Sequence, residues 1–194
     1  PAEEDLYALT NICHAQLVSR DISSSFSLHD VQKFTESRRS GIRKAVKNDI
    51  LISESQDLAV FWNILNNNLT AKYNARPVHS LSELQLLKGR FPKEIKLYMA
   101  TTTNGEPLGG TLVYETPNVV HTQYISASPD GKAMGALDLL FDYIINKVYK
   151  GRNGYFDFGK STEAGGTVLN QQLIHQKEGF GGRGVCYDTY EWKI

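Results

Sequence analysis

Ile125-Ser126-Ala127-Ser128-Pro129-Asp130-Gly131-Lys132-Ala133-Met134-Gly135-Ala136-Leu137, then an apolar run to Tyr149, then Tyr155-Phe156-Asp157-Phe158-Gly159, is the stretch whose reading decides the fold. Residues 121–127 read as a strand, which Pro129, Asp130 and Gly131 break. Beyond them Leu137, Leu140, Phe141, Ile144, Ile145 and Val148 recur at helical spacing and predict one apolar helix face. Gly151 and Gly154 bracket the exit, and residues 155–158 form a second strand. The unit is therefore strand, loop, helix, strand, with a small glycine-bearing turn at the start of the helix. Such a turn presents backbone N–H groups at the positive end of a helix dipole, which suits a phosphate or pyrophosphate. Equally, the glycines of an ordinary crossover serve only the turn.

Upstream lie two further strands, 95–102 and 108–115, ahead of a third at 119–127. Asn104-Gly105 joins the first two and Thr116-Pro117-Asn118 the last two, so the three predict an antiparallel meander. Before the meander, residues 56–73 carry Leu58, Phe61, Trp62, Leu65 and Leu69 on one helical side, with Ser55 as the expected N-cap. Residues 80–88 form a second helix with a Ser80–Glu83 capping box. Residues 50–53 read as a strand, and 28–48 as helical, with Val31 and Phe34 as apolar anchors. Within 37–47 stand Arg38, Arg39, Arg43, Lys44 and Lys47 with no acid. That run is either a solvated helix face or a positive patch for a phosphate-rich ligand or an RNA backbone. Residues 5–14 suggest a short helix, 16–20 an extended piece, and Ser23-Ser24-Ser25 a loop. Downstream, 167–178 predicts a helix, Gly179, Gly181, Gly182 and Gly184 a turn, and 185–192 a closing strand. From residue 50 the order is β, α, α, β, β, β, α, β, α, β.

A chain of 194 residues is long enough for one large domain. Its 41% apolar and 22% charged content is that of a soluble globular protein. A formal net charge of zero removes any global argument for nucleic acid or a membrane surface. Cys13 and Cys186 are far apart and form neither a disulfide framework nor a zinc signature, which points to a reducing, cytoplasmic setting. No apolar run is long enough to span a bilayer, and no basic-then-apolar leader opens the sequence. The first residue is Pro1, with no Met, which reads as a piece of a longer protein.

The order of elements resembles the GNAT N-acetyltransferase fold, an α/β (α+β) architecture with a mixed, mostly antiparallel sheet flanked by helices. More narrowly, the chain resembles the FemAB-like branch of acyltransferases. Arg39-Ser40-Gly41-Ile42-Arg43-Lys44-Ala45, Pro77-Val78-His79-Ser80, Phe156-Asp157-Phe158-Gly159 with Ser161, and Lys177-Glu178-Gly179-Phe180-Gly181 carry that likeness. It covers residues 38–192. The resemblance implies a GNAT-like acyltransferase domain over 38–194, with 1–37 as an N-terminal segment, the tail of an upstream GNAT-like half. It implies acyl or aminoacyl transfer to an amine, with a catalytically silent GNAT-like binding module as the alternative. The donor would be acetyl-CoA or another acyl-CoA, or the aminoacyl-tRNA used by the peptidoglycan bridge-forming members. The acceptor would be a small molecule or a cell-wall precursor. Donor phosphates would meet Gly131, Lys132, Ala133, Gly135 and Ala136. The family's loop pattern falls on Lys132, Gly135 and Leu137, the last being larger than the small residue usual there.

Acyl transfer to an amine needs a deprotonated nucleophile, an oriented carbonyl, oxyanion stabilisation and an acid for the leaving group, but no covalent nucleophile. Asp157 interrupts an apolar strand, and a carboxylate there is costly unless paired or used. It is the first catalytic candidate, to orient the acceptor amine or act as base; the alternative is a structural carboxylate holding the loop of residues 159–166. His79, at the start of a short helix, offers an imidazole for proton shuttling or merely caps and packs. Tyr124 can donate to an oxyanion or leaving thiolate, or be core. Lys177 at a helix C-terminus is favourable electrostatically without any function, yet also suits a substrate carboxylate or phosphate. Ser161 and Glu163 are candidate acceptor contacts. His14, His29, His121 and His175 read as packing or surface residues, and no residue set has metal-ligand spacing.

Overall fold

The computed structural model describes residues 3–193. Helix α1 (Glu3–Tyr7) continues as a π-helical turn (Ala8–Ile12) and leads into the long strand β1 (Gln16–Ser27). Then follow α2 (Glu36–Lys47), β2 (Leu51–Ser55), α3 (Leu58–Tyr73) and α4 (Leu81–Arg90). The meander is β3 (Ile95–Thr101), β4 (Pro107–Glu115) and β5 (Val119–Ala127). Short helix α5 (Pro129–Met134) and α6 (Ala136–Tyr143), prolonged by a π-helical stretch (Ile144–Val148), connect β5 to β6 (Tyr155–Lys160). A small hairpin, β7 (Thr162–Glu163) and β8 (Val168–Leu169), precedes α7 (Gln171–Glu178) and β9 (Arg183–Glu191).

Seven strands form one sheet in the order β2-β3-β4-β5-β6-β1-β9. Its neighbours are antiparallel except β5 and β6, which run parallel. A crossover through α6 is what a parallel neighbour requires. On one face α6 and its π-helical extension bury Leu140, Phe141, Ile144 and Ile145 against Phe26, Phe156, Phe158 and Phe180. Phe141 meets Phe158 at 5.2 Å and Phe180 at 5.0 Å between ring centres. On the other face α3 and α4 bury Phe61, Leu65 and Leu84 on Leu97, Met99 and Leu112. The mixed sheet with helices on both sides is the architecture expected from the order of elements.

Local signals hold where the sequence supplies its own caps. Ser80 and Glu83 form the capping box at the start of α4. At α3 the cap is Asp57, whose carboxylate accepts from Val60 N–H, rather than Ser55; the Ser55 hydroxyl instead accepts from the Asp57 N–H.

Tertiary pairing overrides local composition at four places. The Ser23-Ser24-Ser25 run is strand, not loop, because β6 and β9 pair with it from either side. Residues 28–35 are not helical: Leu28 N–H donates to Gly154 O and Thr35 N–H to Gly179 O, while Phe34 packs edge-on against Phe180. The helical run after β5 is divided, since Gly135 sits at φ +77° between α5 and α6. The last helix starts at Gln171, capped by Asn170, because Val168 and Leu169 pair with Glu163 and Thr162.

Candidate active site

β5 and β6 pair through only three rungs: Val119↔Tyr155, Val120↔Phe156 and His121↔Asp157. Beyond the third they part. The cause lies in β5, where Leu112 and Val113 of β4 face Tyr124 and Thr122, leaving Gln123 as an extra residue. Such a bulge bends its strand and sharpens the twist. The space between the parted strands is a cavity of about 210 Å³ walled by Leu65, Ile125, Leu137, Phe141, Phe158 and Leu173. Asn68 and Lys132 line one end of it, and at the other an adjoining recess, which shares Leu65, Ile125, Phe158 and Leu173, is lined by Val78 and Tyr124.

At the first end, Lys132 Nζ donates to Asn68 Oδ1 at 3.0 Å, and Asn68 Nδ2 donates to Ser126 Oγ and Ala127 O, each at 2.7 Å. The Gly131 N–H is committed to Ser128 Oγ, and a Cβ on Gly131 would stand 2.0 Å from Leu108 O. Gly131 is therefore a packing residue against β4, not an open N–H. Ala133 is exposed and Ala136 buried. Ala136 and Leu137 open α6, where N–H groups have no intrahelical acceptor. Beside them lies a second recess lined by Arg38, Lys132, Gly135, Asp138 and His175. Arg38 Nη1 donates to Asp138 Oδ1 at 2.8 Å. Burial still lifts the Asp138 carboxyl above its ordinary range, against the pull of Arg38.

The basic run on α2 is largely compensated. Glu36 pairs with Arg43 at 2.5 Å and Arg39 at 2.7 Å, and Arg38 belongs to Asp138. Lys44 and Lys47 fall in the helix's last turn.

At the other end the structure brings His79 and Tyr124 together. His79 Nδ1 and the Tyr124 hydroxyl are 2.7 Å apart, with the rings edge-on at 5.9 Å. Trp62 Nε1 donates to His79 O at 3.1 Å, which anchors the His79 backbone to α3.

Asp157 lies at the third rung, with its side chain on the sheet face away from Phe156, Phe158 and α6. Its Oδ1 accepts from Ser23 Oγ at 2.5 Å and its Oδ2 meets His121 Nδ1 at 2.6 Å. Burial would raise this carboxyl. The hydrogen bonds from His121 and Ser23, with the Gly159 N–H, outweigh burial and hold it below the usual carboxylate range.

Lys177 is 4% exposed. Its Nζ donates to Gly159 O (2.9 Å), Lys160 O (2.6 Å) and Ser161 Oγ (3.0 Å). Burial lowers it from 10.5 to about 8, opposed by the charge on Asp157. Ser161 is buried and serves Lys177. Glu163 is exposed and accepts from Asn170 Nδ2 at 2.8 Å within the β7–β8 hairpin, so it stands apart from the cavity wall.

His121 is the residue that sequence reasoning passes over. Its signal is the register of a parallel pair, invisible until β5 and β6 are laid side by side. Among the described residues no group of three His, Cys, Asp or Glu could hold a metal ion. Among them, too, no helix is long and apolar enough to cross a membrane.

Residues 32–165 match the family described as "Acetyltransferase (GNAT) domain", over more than half of the chain. The chain belongs to the GNAT acetyltransferase family. No curated protein sequence matches it. In fold, this GNAT chain is similar to the crystal structure of FemX, with a TM-score of 0.67 at 10% identity over 86% of this chain and 61% of that one. It is similar to L-PGS from Bacillus licheniformis, with a TM-score of 0.60 at 13% identity over 94% of this chain and 64% of that one. A possible acetyltransferase from Clostridium difficile gives a TM-score of 0.55 at 15% identity, over 75% of this chain and 97% of that one. The GNAT chain thus spans less than two thirds of the length of FemX and of L-PGS. At these identities the likeness is one of fold.

Proposed function

We propose that this GNAT chain is an N-acyltransferase that moves an acyl group from a CoA thioester to an amine. One observation carries the reading: the parallel pair ends at His121↔Asp157, and an apolar cavity opens where the strands part. A pantetheine-like arm fits the dry walls of Ile125, Phe141 and Phe158. Lys132 and the first turn of α6 at Gly135 and Ala136 suit the phosphates at one mouth. Tyr124, tethered to His79, would give a proton to a departing thiolate at the other. Lys177, satisfied by three protein oxygens, stiffens the loop after β6 beside the same cavity.

The test is calorimetric titration with acetyl-CoA and with desulfo-CoA. Micromolar binding that Lys132→Glu weakens about tenfold or more supports the reading, since one charge-assisted phosphate contact is worth roughly 1.5–3 kcal/mol. No heat at millimolar ligand overturns it.

A second reading keeps the fold and takes an aminoacyl group from tRNA for delivery to a cell-wall precursor. The likeness in fold to FemX and L-PGS favours it. So does Leu137, which lines both recesses where a small residue would admit a pyrophosphate more closely. Low-salt tRNA binding that weakens on charge reversal at Lys44 and Lys47 supports it; binding indifferent to those changes counts against that patch.

A further inference from the structure

The cavity between the strands has a neighbouring pocket. A pocket of about 540 Å³ is lined by Val119, His121, Gln123, Asp157, Lys160 and Tyr187. It shares Phe158 with the first cavity, and Thr122 and Gln123 with the recess at Val78 and Tyr124. His121 and Asp157 form the last paired rung, so they sit in the crotch where the strands divide. Both side chains line the open pocket, one rung from where the strands divide.

The chemistry of the pair is directional. An ionised Asp157 only accepts hydrogen bonds, so the nitrogen facing it at 2.6 Å, Nδ1, carries the proton. The lone pair of the neutral ring is then on Nε2, which has no hydrogen-bond partner among the described residues. The His121 side chain is 34% exposed and that of Asp157 9%, so a ligand reaches the imidazole but not the carboxylate. Ser23 on β1 fixes the carboxylate from its other oxygen. Other titratable groups surround the pair. Tyr114 is the cross-strand neighbour of His121 on β4. Lys160 on β6 is tied to Asp21, Tyr187 on β9 lines the pocket, and Lys177 on α7 is covered by its three oxygen partners. Among these, the exposed Nε2 of His121 is the acceptor that an incoming amine can reach.

We propose that His121 is the catalytic base of the transfer, that Asp157 is its positioning residue, and that the acceptor is a primary amine entering from the open pocket. The inference rests on the acyl-transfer reading. The acceptor arrives as an ammonium. Nε2 of His121 takes one proton, and the imidazolium formed is balanced by the Asp157 carboxylate. The amine nitrogen bonds to the thioester carbonyl carbon, and the C–S bond breaks as the oxyanion collapses. The second proton lost by nitrogen ends on the departing sulfur, giving amide and free thiol. His121 then returns its proton to solvent through the open pocket.

The experiment uses the full chain with acetyl-CoA and a panel of primary amines (glucosamine, lysine, spermidine and a glycyl peptide), following thiol release from pH 6 to 9. Parallel calorimetry measures acetyl-CoA binding. His121→Gln should lower kcat/KM for the best amine by about 10²–10⁴-fold and abolish the acidic limb of its pH profile. Acetyl-CoA affinity should stay within about twofold. Asp157→Asn should cause a smaller loss in kcat with little change in KM, and Ser23→Ala a milder one still. Wild-type kcat/KM and an unchanged pH profile in His121→Gln would overturn the assignment, as would acetyl-CoA binding without turnover of any amine in the panel. Failure of acetyl-CoA to bind would instead refute the donor reading. The pair is then judged by imidazole nitrogen shifts in the NMR spectrum. A neutral ring protonated at Nδ1, turning to a tautomer mixture in Asp157→Asn, supports it. A ring protonated at both nitrogens from pH 6 to 9 overturns it.

Discussion

Lys177 shows what it costs to bury a charge even when every proton on it is matched. Three oxygens surround its ammonium, yet burial lowers its pKa from 10.5 to about 8. The sign of the consequence follows from proton counting. Between pH 8 and 10.5 the unfolded chain holds this proton and the folded chain has released it, so stability rises with pH across that window. The full rise is about 3 kcal/mol. Lys177→Met keeps the bulk and removes the titration. Urea midpoints at pH 7.5 and 10 should therefore climb more steeply in the native protein than in the variant, whatever the variant's absolute stability. Equal slopes would mean that Lys177 stays charged. Asp157 behaves in the opposite sense: its depressed carboxyl adds stability at neutral pH, lost as the pH falls through its folded value.

At the scale of elements, the seating of α2 on α6 depends on the absence of side-chain atoms. A Cβ on Gly135 would lie 2.4 Å from Gly41 O, at a backbone angle of φ +77°. Gly105 has a similar angle, φ +84°, but open space around it. Gly135→Ala should thus cost about 2–4 kcal/mol, from conformational strain plus overlap, and Gly105→Ala only about 1 kcal/mol. Guanidinium unfolding of both variants checks the ranking; equal losses would show that α2 yields freely. The same contrast explains what was legible beforehand. Helix faces, the Ser80–Glu83 box and the Asn104-Gly105 turn are local chemistry, and they announce themselves. The strand character of Ser23, Ser24 and Ser25 does not, because it comes from β6 and β9, whose residues lie more than a hundred positions away. Asp157 was legible as a buried carboxylate with something to explain. Its partner His121 was not, since the two meet only through the register of the parallel pair β5–β6, which no local sequence signal fixes.

For the molecule as a whole, β1 is the piece that closes the sheet. It lies between β6 and β9 and brings Phe26 into the aromatic cluster, where it stacks on Phe156 at 5.6 Å. A chain beginning at residue 38 would lose Phe26, Leu28 and Phe34 from the core and leave β6 and β9 without their shared neighbour. Each lost Phe costs about 3–5 kcal/mol, so two of them approach the whole stability of a typical domain. Such a chain should show no cooperative thermal transition by circular dichroism. A sharp transition within a few degrees of the longer protein would show that residues 38–193 fold alone.

The placement of β1 also sets a timetable for synthesis. Ser23 leaves the ribosome early and waits for Asp157, 134 residues later, before its hydroxyl finds the carboxylate. The meander β3–β5 and its helices α3 and α4 are contiguous in the chain and can assemble while translation continues. The crotch holding His121 and Asp157 gains its third wall only when β6 meets β1, and β1 gains its outer neighbour only when β9 emerges. During that interval β1 is an unpaired strand with exposed ladder groups, open to chaperone capture or to pairing with another nascent copy.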